Sequence, residues 1–179
     1  MTIERRVRIE PDCHAENPRE GWDGNVGRMV CWHSRHFLGD EHDYAQPIDF
    51  LEDVNFGDCV ALTLYLYDHG GITMRTTPFD CPWDSGQVGW IVCDEKTLRE
   101  EFNGDRDRAE KALLAEVAVY DAYISDDVYG FIVEERDGDD WEEVDSCWGF
   151  YGHDIHANGI ADHLGDDELI ALAESADIE

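Results

Sequence analysis

The nine residues Cys59–Tyr67 alternate without a break. Val60, Leu62, Leu64 and Leu66 fall on one face of an extended strand, and Cys59, Ala61, Thr63, Tyr65 and Tyr67 on the other. Helical spacing would scatter both sets around the axis, so this segment commits the chain to a β-sheet whose leucine face must be covered. His69-Gly70-Gly71 supplies a turn into a second strand at Ile72–Thr77, which predicts a hairpin.

The remaining patterns extend that frame. Strands are predicted at Ile3–Ile9, Arg28–His33 and Gln87–Cys93. A short helix starts at Pro47, uses Ile48, Phe50, Leu51 and Val54, and ends at Gly57. A long helix opens at Asp105 or Asp107 and carries Ala109, Leu113, Val117, Tyr120 and Ile124 on one stripe. Asp121, Asp126 and Asp127 then sit against the unfavourable end of its dipole. A second hairpin follows, Val128–Arg136 and Trp141–Tyr151 about an Asp137-Gly138 turn, and Asp166–Ala176 closes the chain as a helix. The expected fold is α+β: one domain over residues 1–179, with a mostly antiparallel sheet and helices packed on one face.

The formal net charge is −30, from 43 acidic and 13 basic residues, and Lys96 and Lys111 are the two lysines. Such a charge repels itself in dilute salt, whereas at about 1 M salt the Debye length falls to about 3 Å. Two explanations compete: adaptation to a high-salt cytoplasm, or mimicry of nucleic-acid phosphates. The acids are dispersed from Glu4 to Glu179, and a mimic has no need to shed lysine. Both features favour salt adaptation.

No stretch approaches the roughly 18 apolar residues of a membrane span, and Met1-Thr2-Ile3-Glu4-Arg5-Arg6 lacks a secretion-signal core. The expectation is a cytoplasmic protein with no membrane contact. Cys13, Cys31, Cys59, Cys81, Cys93 and Cys147 occur singly, which predicts free thiols.

Four segments concentrate Trp, His, Cys and Gly: residues 31–44, 67–71, 76–89, and 127–130 with 145–152. Cys81-Pro82-Trp83-Asp84-Ser85-Gly86-Gln87-Val88-Gly89 and Asp145-Ser146-Cys147-Trp148-Gly149-Phe150 resemble an uncharacterised family of small accessory proteins of tailed phages and proviruses. The resemblance covers about residues 28–152. It implies a viral accessory protein and transfers no catalytic residue. Its lysine-richer relatives imply that the acidity here belongs to habitat.

Three chemistries can be weighed on the residues. Ser146-Cys147-Trp148-Gly149-Phe150 is similar to the nucleophile segment of papain-like proteases, but that thiol opens a helix and needs a distant downstream His. Here Cys147 lies in a strand pattern near the end of the chain. A Cys81–His69 dyad is opposed by the strand between them, since six extended residues span roughly 20 Å. His33-x-x-His36 with Asp40 and His42 offers three nitrogens and a carboxylate. The spacing matches no standard zinc motif, so loop-capping histidines are the favoured reading and no metal or cofactor is expected. Asp137-Gly138-Asp139-Asp140 is too short for a calcium loop.

No phosphate-binding glycine loop or basic patch is present, so direct nucleic-acid contact is not expected. The leading expectation is a viral accessory protein that binds a host or viral protein partner or a small ligand through Trp83, Asp84, Trp148, Asp68 and His69. Pro82 stiffens that loop, and Gly86 and Gly89 permit close backbone approach. The alternative is a small hydrolase or transferase that gathers His33, His42, Asp68, His69, Asp84 and Asp145 around one pocket.

Overall fold

The structure is a computed structural model that describes residues 3–136, 138 and 140–176. Among the described residues the elements run β1 (Glu4–Pro11), β2 (Arg28–Cys31), α1 (Pro47–Asp53), β3 (Val60–Asp68), β4 (Ile72–Arg75) and β5 (Ser85–Cys93). They continue with α2 (Glu95–Phe102), α3 (Arg106–Ile124), β6 (Val128–Arg136), β7 (Trp141–Tyr151), α4 (Ile160–Leu164) and α5 (Asp167–Glu174). The α+β class and antiparallel pairing hold, but the strands form two sheets where the sequence suggested one. The chain divides into two compact units: residues 17–121, and residues 1–16 joined with 122–179. Helices α2 and α4 were not foreseen. Asp137 of the expected hairpin turn lies outside the described residues.

In the unit of residues 17–121 the sheet order is β2-β5-β3-β4. Leu62 pairs with Ile91 and Ala61 with Val92, so the alternation in β3 is matched by its partner β5. Trp32, Phe50, Trp90 and Val92 pack together, with Phe50 brought in by α1. On the other face, a Cβ added to Gly27 would lie 2.4 Å from Leu113 and 2.7 Å from Ile91, so α3 presses its leucine onto that strand. Neighbours 91 and 92 point to opposite faces, and helices therefore meet both faces of this sheet. The α3 stripe is as expected, with Ala109, Leu113, Val117 and Tyr120 buried. Asp121 is no electrostatic liability: its carboxylate accepts from Thr73 Oγ1 at 2.8 Å and Met74 N at 2.6 Å, tying α3 to β4.

A buried ionic knot holds the start of β2. The Arg19 side chain is 3% exposed and donates to both oxygens of Asp40 at 2.8 Å, to Glu116 at 2.6 Å and to Gly27 O at 2.6 Å. Asp40 also accepts from Met29 N, and Glu116 from Val26 N and Gly27 N. Burial opposes the guanidinium charge, but the bonds to Asp40 and Glu116 outweigh it and hold Arg19 above its ordinary range.

In the other unit the order is β1-β6-β7. Val7, Ile9, Phe131, Val133 and Phe150 form one apolar face, covered by Ile160 and Ala173 from α4 and α5. Register is reinforced by charge, because Glu4 faces Arg136, Arg5 faces Glu135 and Arg6 faces Glu134 across the ladder, and each pair is an ion pair. Glu134 is buried between Arg6 and Arg8, at 2.6 and 3.0 Å. Bonding to Arg6 holds its carboxyl below the usual range, against the opposing effect of burial, with Arg8 assisting.

Candidate functional site

The end of β3 gathers most of the chemistry-bearing residues. The ladder pairs Tyr67 with Ser85, and one step further Asp68 N donates to Asp84 O at 2.8 Å. The two aspartates therefore sit side by side although sixteen positions apart in sequence. Gly70, at φ 74°, takes the left-handed conformation that lets the hairpin reverse directly after His69.

His69 Nδ1 lies 3.5 Å from Asp84 Oδ1, and Cys81 Sγ lies 3.4 Å from Asp84 Oδ2. This corrects the expected 20 Å separation of Cys81 and His69. The strand β4 ends at Arg75, and the following loop folds back, pinned by Arg75 donating to Thr77 O and Pro78 O and stacking over Phe79. Ser85 Oγ closes the loop on Cys81 O at 2.5 Å. The thiol meets the carboxylate, and the carboxylate meets the imidazole. Asp84 stands between them, so this is not a direct thiol–imidazole dyad.

A second group approaches Asp68 from the β2 side. Arg35 Nη2 bonds its carboxylate at 2.5 Å, and His36 and His33 bring Nε2 to 3.4 and 3.8 Å of the same oxygen. The two imidazoles stack with centroids 5.1 Å apart and planes 13° from parallel. Burial, with help from His36, pushes the His33 imidazole below its ordinary range and favours its neutral form.

The set considered from sequence is thus half right in membership. His33 and His36 come together, with Asp68 as their carboxylate. Asp40 belongs to the Arg19 knot, and His42 turns Nε2 to Cys31 O at 2.9 Å and packs against Trp32. Among the described residues, buried His42 Nδ1 has no hydrogen-bond partner. A groove of about 1030 Å³ runs past Trp32, His33, His36, Phe37 and His42.

Of the five expected binding residues, Asp68, His69, Trp83 and Asp84 lie in this cluster. Trp148 belongs to the other unit, on β7, where its ring covers Gly130 at 2.3 Å from a hypothetical Cβ. Asp145 lies on β7 as well. Trp83 is 91% exposed and does not plug the core, and Phe37 is fully exposed. The close approach at Gly89 serves the sheet itself, since a Cβ there would meet Val30 O at 2.0 Å.

Arg35 and Phe37 were not foreseen. Nothing in His33-Ser34-Arg35-His36-Phe37 distinguishes them from ordinary loop residues until β2 is seated beside β5. The buried thiols are unsuited to nucleophilic attack: burial, assisted by the Asp40 charge, pushes Cys31 up to about 12, and burial raises Cys59 and Cys93 too. Among the described residues all six cysteines are free, and no helix is long and apolar enough to cross a membrane. No protein-family model, curated protein or solved structure matches the chain.

Proposed function

We propose that the chain is an accessory protein of a tailed virus of a salt-adapted host and acts by binding a protein partner through the loops at the end of β3. The observation that carries this reading is the exposure of Trp83 and Phe37, at 91% and 107%. Leaving two large aromatic side chains in water wins nothing for the fold, whereas such residues supply most of the energy at protein interfaces. Each is one position from a residue that touches Asp68: His36 through its ring, and Asp84 through its backbone. The partner's complementary surface is an apolar pocket that takes up the two rings, because at molar salt screening removes long-range steering by the net charge.

The test is capture from infected cells in molar KCl, followed by affinity measurement on the purified partner. Trp83→Ala should weaken binding by about thirtyfold or more, the equivalent of about 2 kcal/mol. Its melting temperature should hardly move, because the side chain is exposed. Unchanged affinity in both Trp83→Ala and Phe37→Ala would remove this reading. The Cys81–Asp84–His69 contacts favour a second reading, a small hydrolase or transferase, in which Asp84→Asn abolishes turnover of a substrate yet to be found.

A further inference from the structure

We propose that His33, His36 and Asp68 form a binding site for a divalent transition-metal ion, with zinc the best fit. The separations argue for this over hydrogen bonding. At 3.4 and 3.8 Å, the two Nε2–Oδ2 distances exceed the roughly 2.7–3.2 Å of a good N–H···O bond. Two ligand atoms each about 2.0–2.1 Å from a tetrahedral zinc lie roughly 3.3–3.4 Å apart. All three ligand atoms fall within 4.8 Å of one another, so side-chain rotations of about an ångström complete the set.

Both Nε2 atoms approach the same oxygen, Asp68 Oδ2, and a modest turn of the stacked rings would aim them at a common centre. The donor set of two imidazoles and one carboxylate suits zinc and its neighbours, and three protein ligands leave a coordination position for water.

Two local interactions oppose capture, and both are weak. Coordination through Nε2 requires the Nδ1–H tautomer of His33, which gives up a 3.4 Å contact from Arg35 N. The Arg35 guanidinium on Asp68 repels a cation, but its side chain is 66% exposed and free to swing into solvent. Arg35 therefore acts as a competitor for the site. A bound ion would clamp the bend at residues 33–36 to the end of β3, next to Phe37. The inference does not depend on the protein-binding reading.

The experiment is calorimetric titration of the metal-stripped full chain with zinc chloride, paired with cobalt(II) absorption spectra. Saturable binding of one equivalent is expected, with a cobalt spectrum lacking the thiolate charge-transfer band that any of the six cysteines would produce. His36→Gln, at a side chain 37% exposed, should fold normally and lose at least about tenfold in affinity, and Asp68→Asn should do the same. Arg35→Gln should bind more tightly than the parent, which a purely structural Arg35–Asp68 pair would not produce. Absence of one-equivalent binding, undiminished affinity in His36→Gln, or a thiolate band would each overturn the assignment.

Discussion

Replacing Arg19 with alanine should cost about 3–5 kcal/mol of stability, the usual consequence of removing one partner from a buried ionic cluster. The size follows from what the guanidinium leaves behind. Four hydrogen bonds disappear, and two carboxylates with side chains 23% and 11% exposed lose their cation. Backbone donors from Val26, Gly27 and Met29 remain, which keeps the loss from climbing higher. For a chain of this size each kcal/mol moves the melting temperature by about 2–4 °C, so a fall of about 6–20 °C is expected. The assay is urea unfolding at low salt and again at about 3 M KCl, where the Debye length is below about 3 Å. Because the knot is shielded from solvent, the loss should persist at high salt, while a surface pair would fade. Arg19→Met combined with Asp40→Asn and Glu116→Gln should recover most of the stability, since no charge is then buried without a partner. A loss below about 1 kcal/mol for Arg19→Ala, or one that vanishes in molar KCl, would refute the argument.

The parent chain should itself become more stable from about 0.1 M to 3 M KCl, because screening relieves repulsion among thirty excess negative charges; a flat or falling melting temperature would sink the salt-adaptation proposal. Thiol titration without reductant should count six groups after denaturation, with Cys31, Cys59 and Cys93 unreactive beforehand, and a count of four or fewer would contradict the free-thiol assignment. Glu134 sits below its unfolded value of about 4.3, so its contribution is fully present above that pH and is lost as pH falls through the lower folded value. Glu134→Gln should therefore destabilise the neutral protein and flatten this part of the acid limb, and urea midpoints between about pH 2 and 6 that parallel the parent would show the Arg6–Glu134–Arg8 cluster to be inert.

Much of the architecture was written along the chain, because local periods and end signals are local properties. The leucine face of β3, the α3 stripe from Ala109 to Tyr120, and the strands Val128–Arg136 and Trp141–Tyr151 all form where their patterns place them. Even α2 had a signal: Asp94 caps it by accepting from Thr97 N, and Leu98 and Phe102 lie four apart on its buried side. Strand period says which side chains share a face, but not which strand lies alongside. That is why two sheets looked like one, and why the charge-matched register of β1 on β6 was not apparent. The same limit hid the candidate site. Asp68 meets Asp84 because β3 pairs with β5, and β2 on the far side of β5 leads into the bend that carries His33, Arg35 and His36 to the same carboxylate. Asp40 and His42, nearer to those histidines in sequence, were claimed instead by Arg19 and by Cys31 O, since a buried guanidinium and a buried backbone carbonyl each demand a partner. Residue types and element spans were thus fixed locally, while the company each polar side chain keeps was decided by strand order and burial, which only the folded chain possesses.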